Sequence, residues 1–217
     1  EFDKAEVKEW MSFLETGAVT VITPKEAKAV PTSRIFKRPL RRIHTDKNGG
    51  EGGLKAKLRL VVPGDVDPDG HLPVEEGGFR TDAPTSSQIS FHLLCSNAVR
   101  RKWRLKSFDV STAFLTGDKQ TRDIYCRPPK GGLPGVPEDA LLKLNTGVYG
   151  LREAPRLWYI KADRELRNCG WEELSTARST YVLRDPNTHE LCGMLLLYVD
   201  DACYAGTGKH YDDVIQK

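Results

Sequence analysis

The sequence predicts an α+β protein, because helical and strand patterns alternate irregularly along its 217 residues. Two patterns carry this prediction: apolar residues recur at helical spacing from Val7 to Leu14, and they alternate with cations from Leu54 to Val62. The composition agrees, since 39% hydrophobic and 29% charged residues are typical of a globular protein and argue against wholesale disorder. A chain of this length can build one sizeable core or two smaller ones without a disulfide or a metal.

The first element is a predicted helix that ends before Gly17. Its expected apolar face consists of Val7, Trp10, Met11 and Leu14. A short strand is expected after it, around Val19 and Val21.

Residues 34–43 and 54–62 are expected to form a β-hairpin around the glycine-rich turn 48–53. In the second strand, the even-numbered residues are apolar and the odd-numbered ones include Lys55, Lys57 and Arg59. One face of this strand therefore packs, and the other presents a row of positive charge.

Charge is unevenly distributed, although the whole chain carries a net charge of only +3. Residues 34–64 contain nine cations and two acidic residues, a local charge of +7, which leaves −4 for the rest. This asymmetry predicts a basic surface that faces phosphates and a separate acidic region. Ordinary solvated strands that carry Lys and Arg would explain the charge of the hairpin equally well.

The second half of the chain begins after a predicted loop at 63–84. A capping box at Thr85–Gln88 predicts a helix with Ile89, Leu93 and Leu94 as its apolar stripe and cations at its C-terminus. A strand ending at Asp109, a loop and a short apolar segment follow. The remaining expectations are a helix from 150–155 to Cys169 and strands at 181–184, 193–199 and 202–205.

Several classes of function lack support. The five cysteines form no C-x-x-C pair and the five histidines are scattered, which argues against a zinc site and favours a reducing intracellular compartment. The longest apolar run, 193–199, is far shorter than the ~20 residues of a membrane-spanning helix, so no membrane partner is expected. Because the chain starts at Glu1 without a signal peptide, we expect an internal piece of a longer polypeptide.

The candidate chemistry lies in acidic residues at strand ends. Asp109 ends one predicted strand, and Asp200-Asp201 forms the expected two-residue tip of a hairpin. If these strands are neighbours, the carboxylates converge, and charges ~4 Å apart repel by roughly 4 kcal/mol unless a cation such as Mg²⁺ neutralises them. Asp is also common in turns and helix caps for purely structural reasons.

Six segments between residues 57 and 201 resemble, in this order, successive blocks of the copia-type LTR-retrotransposon reverse transcriptase. They are 57–64 (KLRLVVPG), 82–87 (DAPTSS), 108–118 (FDVSTAFLTGD), 124–129 (IYCRPP), 144–159 (LNTGVYGLREAPRLWY) and 198–201 (YVDD). The resemblance implies an RNA-directed DNA polymerase with a right-hand fold and an antiparallel palm sheet flanked by helices. The fingers would be 1–80 and 119–146, the palm 81–118 and 147–217, and the thumb is expected to be absent.

The resemblance also implies a role for individual residues. Asp109, Asp200 and Asp201, with Val110, would hold two Mg²⁺ ions, or Mn²⁺, for nucleotidyl transfer from a dNTP to a primer 3′-hydroxyl. Four further residues would meet the incoming dNTP: Lys57 and Arg59 its triphosphate, Phe114 its sugar, and Glu153 at a position where the family usually has Gln. An acidic group there would repel the triphosphate unless it turns away or pairs with Arg152 or Arg156. The residues expected to bind nucleic acid are Arg38, Arg41, Lys55 and Tyr198.

The implied partners are an RNA template, a DNA or tRNA primer, dNTPs, and other Pol and Gag segments of the same element. The implied location is a cytoplasmic virus-like particle or the nucleus. Two alternatives remain open at this point: a degenerate or co-opted segment that binds nucleic acid without catalysis, and a metal-dependent nuclease.

Overall fold

The structure is a computed structural model that describes residues 1–216 and consists of helices and antiparallel sheets, as the sequence predicted. The helices and strands in chain order are α1 (Phe2–Glu15), β1 (Val19–Ile22), α2 (Pro24–Ala27), β2 (Arg41–Asp46), β3 (Ala56–Val61), α3 (Gln88–Arg101), β4 (Lys106–Asp109), β5 (Tyr125–Cys126), β6 (Leu141–Leu144), α4 (Ala154–Asn168), β7 (Glu172–Leu174), β8 (Ala177–Arg184), β9 (Leu191–Tyr198), β10 (Asp201–Gly206) and α5 (Lys209–Ile215). Lys217, the last residue of the predicted second palm segment, lies outside the described residues.

The chain divides into two compact units. The first comprises Glu1–Asp82 and Phe114–Trp158, and the second comprises Ala83–Ala113 and Tyr159–Lys217. Helix α4 begins in the first unit and continues in the second. Within residues 1–216, no helix combines the length and the apolar character that crossing a membrane requires.

Helix α1 forms as predicted, but its expected apolar face is only partly correct. Trp10 and Phe13 are buried, whereas the remaining three residues of that face, Val7, Met11 and Leu14, are largely exposed. The helix faces the β2–β3 hairpin with a different side, where Glu6 accepts a 2.7 Å hydrogen bond from Arg42. This ion pair and the two buried aromatic residues mark the side that faces the core.

The β2–β3 hairpin confirms the predicted alternation in its second strand. Leu58 and Leu60 are buried, and the register pairs Arg41 with Val61. The predicted start of the first strand at residue 34 is wrong, since β2 begins only at Arg41. The preceding residues bond elsewhere, with the amide of Phe36 donating to the carbonyl of Tyr125 at 2.8 Å.

A three-stranded antiparallel sheet of order β1-β6-β5 completes the first unit. Its central strand contributes Leu142 and Leu144 to a core that also contains Phe13 and Leu60. Leu60 lies on β3, so this core packs against one face of the β2–β3 hairpin.

The second unit is built on a five-stranded antiparallel sheet of order β4-β10-β9-β8-β7. Helix α3 packs on it through Leu94 and Ala98, next to Met194 and Leu196. The predicted N-terminus of α3 was two residues too early, because the hydroxyl of Ser87, not of Thr85, accepts the capping bond from the amide of Ser90.

The predicted apolar stripe of α3 is also only partly correct. Leu94 is buried, but Ile89 is 79% exposed and Leu93 is 46% exposed. The helix faces the sheet with the smaller residues Ser90 and Ala98 instead, and the hydroxyl of Thr180 donates to that of Ser90 at 2.9 Å. Small residues allow the close packing that the sheet requires here.

Candidate functional site

Two of the three candidate acids, Asp109 and Asp201, are paired on neighbouring strands of the sheet in the second unit, and Asp200 lies in the adjacent turn. Strand β10 lies between β4 and β9, and Asp201 is paired with Asp109 on one side and with Tyr198 on the other. The amide of Val110 donates to the carbonyl of Asp200 at 2.9 Å, so the backbone also ties the turn to the end of β4. The strands that carry the acids are therefore neighbours.

The tip of the β9–β10 hairpin differs by one residue from the prediction. Tyr198 pairs with Asp201, so the two turn residues are Val199 and Asp200, and Asp201 already belongs to β10. Val199 has a φ of +59°, which is unusual for a β-branched residue and marks a strained position. The pairing of β10 with both neighbouring strands holds Asp201 in the sheet and leaves the strained conformation to the turn.

The pairing geometry places two like charges side by side. The bond from Val110 to Asp200 identifies Asp109 and Asp201 as a non-hydrogen-bonded pair, in which Cα atoms lie about 4.5 Å apart and side chains share a face. Both residues are exposed. Like charges directly opposite each other destabilise a sheet, so this arrangement favours a bound cation.

The donor chemistry fits a hard divalent cation, because carboxylate oxygens are the ligands that Mg²⁺ prefers. Among residues 1–216, however, no group of three or more His, Cys, Asp or Glu side chains is gathered closely enough to hold a metal ion. The backbone therefore brings Asp109 and Asp201 together without assembling a finished set of ligands. Val110 has no side-chain oxygen, so only its backbone is available as a ligand.

An open cavity of about 500 Å³ borders Asp201 within the second unit. Tyr198, which is 59% exposed, and Cys203 line it from the sheet, and Phe91 lines it from α3. The predicted nucleic-acid contact Tyr198 thus lies beside the acids, on the accessible side of the strand.

The candidate nucleotide-binding residues lie in the first unit. Lys57 and Arg59 are on β3, and the Arg59 guanidinium carbon lies 4.1 Å from the centroid of the Tyr149 ring. The Tyr149 ring also contacts that of Phe114, with centroids 5.7 Å apart. The structure thus brings Arg59 and Phe114 together through Tyr149, a residue that motif reading left without a role.

Glu9 is a half-buried carboxylate next to this row of charge. Burial raises its pKa, while the amide of Leu60 and the charges of Arg59 and Lys57 lower it by a smaller amount. The basic face of β3 therefore has an acidic neighbour on helix α1.

The predicted template contacts lie at or near the basic hairpin. Arg38 forms an ion pair with Asp65, and Arg41 opens β2 as an exposed side chain. Lys55 is exposed next to the turn, where its amide donates to Asp46 at 3.0 Å. These cations are accessible to a phosphate backbone.

Glu153 is buried, and neither of its expected partners holds it. Arg152 donates to the carbonyl of Gly70 at 2.9 Å, and Arg156 pairs with Asp82 at 2.7 Å. Glu153 instead accepts hydrogen bonds from Arg122, a residue that sequence reasoning missed.

Arg122 is the centre of a buried ionic cluster that also contains Asp67, Asp69 and Glu153. It donates to Asp67 and Asp69 at 2.8 Å each, and Arg34 completes the cluster with a 2.9 Å bond to Asp69. The Arg122 guanidinium also stacks on Phe79, 4.0 Å from the ring centroid.

The cluster changes the protonation equilibria of its members. Burial lowers the pKa of Arg122, but the hydrogen bonds to Asp67, Glu153 and Asp69 raise it by more, so the guanidinium stays charged. Burial raises the pKa of Glu153 above its ordinary value, and the bonds from Arg122 offset this only in part. The segment 63–84, predicted as a loop, thus supplies two buried acids; the closely spaced Asp67 and Asp69 were the only sequence signal.

The second unit thus contains an antiparallel sheet in which Asp109 and Asp201 are paired. The first unit contains a basic hairpin whose Arg59 contacts an aromatic ring. The family model of reverse transcriptase (RNA-dependent DNA polymerase) matches residues 18–215, so the chain belongs to this family. Reverse transcriptases generally use divalent metal ions.

The individual relatives are retrotransposon proteins. The chain is 31% identical over 177 residues to the retrovirus-related Pol polyprotein from transposon RE1 of Arabidopsis thaliana, a match that covers 81% of this chain and 12% of the relative. It is 28% identical over 207 residues to that from transposon TNT 1-94 of Nicotiana tabacum, covering 95% of this chain and 14% of the relative. The chain therefore spans only a small part of the length of these relatives.

Proposed function

We propose that the chain carries the RNA-directed DNA polymerase activity of a copia-type retrotransposon. The observation that carries this proposal is the pairing of Asp109 with Asp201 across two strands of a protein of the reverse transcriptase family. The predicted palm, 81–118 and 147–217, would contain the whole second unit, and the predicted fingers, 1–80 and 119–146, would form most of the first; residues 114–118 and 147–158 of the predicted palm lie in the first unit. The substrates would be an RNA template, a DNA or tRNA primer and dNTPs, and other Pol and Gag segments would be partners.

Asp109, Asp200, Asp201 and the backbone of Val110 would hold two Mg²⁺ ions, with Mn²⁺ as a substitute. When bound, such ions supply charge stabilisation for the attacking and leaving oxygens of phosphoryl transfer. The side chains themselves supply the negative charge that recruits the ions, and the backbone pairing keeps Asp109 and Asp201 on one face.

The first unit would bind the incoming nucleotide. Lys57 and Arg59 would contact the triphosphate, and Phe114 would exclude a ribose 2′-hydroxyl by its bulk. Glu153 is buried and paired with Arg122, so we propose that it stabilises the fold next to the nucleotide site and does not repel the triphosphate. Arg38, Arg41, Lys55 and Tyr198 would contact template or primer.

Primer extension on an RNA template tests this proposal, with the chain alone and with any longer natural polypeptide that contains it. Asp109→Asn and Asp201→Asn are each expected to abolish incorporation without loss of a cooperative thermal transition, because each removes one of two repelling charges. Asp213→Asn, an exposed aspartate on α5, is the matched control and is expected to retain activity. Extension that survives either active-site change would refute the mechanism. Salt-dependent RNA binding without any incorporation would favour a non-catalytic binding role instead, and cleavage of the template would favour a nuclease.

A further inference from the structure

Tyr149 has a fixed backbone position against the end of the basic hairpin. Its carbonyl accepts a 2.8 Å bond from the amide of Val62, the residue that follows β3. The next residue, Gly150, has a φ of +87°, and a Cβ there would lie 2.1 Å from the carbonyl oxygen of Val62. Only a glycine allows the two backbone segments to approach this closely. The backbone of Tyr149 is therefore held next to Val62, which limits where its ring can lie.

The ring of Tyr149 has a different partner on each of two sides. The Arg59 guanidinium lies over its face at 4.1 Å, and Phe114 meets it with an interplanar angle of 62°. Tyr149 and Phe114 are both partly buried and pack against the core of the first unit. A shift of the Tyr149 ring would therefore change its contacts with both Arg59 and Phe114.

An aromatic face orients a guanidinium without neutralising its charge. A carboxylate partner would cancel much of the positive potential that a triphosphate needs, whereas the quadrupole of a ring attracts the cation and leaves its donors available. Phe114, in turn, can exclude a hydroxyl by its bulk only if its own ring is held in place.

We propose that Tyr149 is a positioning residue that couples the triphosphate contact of Arg59 to the sugar discrimination of Phe114. This inference rests on the proposed function, and it adds a residue that connects the two parts of the nucleotide site. Loss of the ring should weaken dNTP binding and relax the exclusion of ribonucleotides together. A change at Arg59 should act mainly on binding, and a change at Phe114 mainly on discrimination.

Single-nucleotide incorporation with dCTP and CTP, which differ only in the 2′-hydroxyl, tests the coupling. For Tyr149→Leu we expect a roughly tenfold rise in the KM for dCTP and a roughly tenfold loss of dCTP-over-CTP discrimination, with kcat for dCTP changed less. Tyr149→Phe keeps the ring and should stay within about twofold of the wild type in both. Tyr125→Leu, which removes another partly buried tyrosine of the first unit, controls for a general loss of stability.

The outcomes separate this inference from the proposed function. A wild-type chain that polymerises while Tyr149→Leu changes neither KM nor discrimination would overturn the role of Tyr149 alone. A wild-type chain that incorporates neither nucleotide would overturn the proposed function and this role with it. If Tyr149→Leu has no cooperative melting transition, Tyr149→Met, which fills more of the space, is judged by the same criteria.

Discussion

Replacing Arg122 by Met should destabilise the first unit severely, because the change removes the cation that three buried or nearly buried carboxylates share. The side chain of Asp67 is fully buried and that of Glu153 is 6% exposed, and Arg122 donates to both. Asp69 keeps Arg34 as a second partner, so two acids lose the only cation of the cluster that bonds to them. Removing one partner of a buried ion pair costs about 3–5 kcal/mol.

This loss is large beside the total stability of a domain, which is typically about 5–15 kcal/mol. Urea unfolding followed by circular dichroism measures it, and the midpoint of the Arg122→Met transition should fall by at least ~1 M. Arg122→Lys should lie between Met and wild type, because Lys keeps the charge but cannot donate to all of these carboxylates with a planar fork.

Arg80→Met provides the matched control. The ion pair between Arg80 and Asp82 has the same 2.8 Å length as that between Arg122 and Asp67, but both of its side chains are more than half exposed. Its loss should cost less than about 1 kcal/mol. If Arg122→Met destabilises the protein no more than Arg80→Met does, the burial argument is refuted. Adding Asp67→Asn to Arg122→Met should recover part of the loss, because it neutralises one orphaned charge.

Three further predictions follow from burial and backbone geometry. Burial raises the pKa of the Cys126 thiol to about 12, so iodoacetamide at pH 8 should leave Cys126 unmodified in the native protein and label it after denaturation, as read by mass spectrometry. Gly150→Ala should destabilise the protein by several kcal/mol in urea unfolding. Gly50→Ala should cost only about 1–2 kcal/mol, because Gly50 has a similar φ of +89° but an added Cβ would have no atom within 4 Å. Equal losses would mean that the contact with Val62 is unimportant. Folding raises the pKa of Glu153, so its protonation stabilises the folded protein at low pH, and this contribution is lost as pH rises through the raised pKa. In urea unfolding from pH 4 to 7, the stability of Glu153→Gln should therefore improve relative to that of the wild type as pH rises. A stability difference that does not change with pH would contradict the shift.

The sequence predicted the existence of most elements because their local signals are strong. The alternating strand β3 and the helix predicted from 150–155 to Cys169 both form, the latter as α4, and the acids of β4 and β10 lie on neighbouring strands as expected. Periodicity could not decide between two competing faces of α1, because both Trp10 and Met11 fit a helical repeat. The choice depends on what packs against the helix, which is a property of the tertiary structure.

The residues of the candidate site also fall into those that the sequence could predict and those that only the fold reveals. Motif blocks located Asp109, Asp201, Arg59 and Phe114, because each belongs to a contiguous string of residues. They did not locate Arg122, whose partners Asp67 and Asp69 lie more than 50 positions away in the sequence. Ion pairs between distant segments leave no periodic signal, so only the fold reveals them.

The segment from Tyr149 to Glu153 shows why a motif should not be interpreted one residue at a time. Tyr149 holds Arg59 and Phe114, Gly150 touches the backbone of Val62, and Glu153 is bound by Arg122. Because these contacts lie within five residues, we expect a change at one of them to disturb the others. Displacement of Tyr149 and Arg59 would then suffice to explain a loss of nucleotide affinity on changing Glu153 or Arg122, so such a loss would not by itself place either buried residue against the nucleotide.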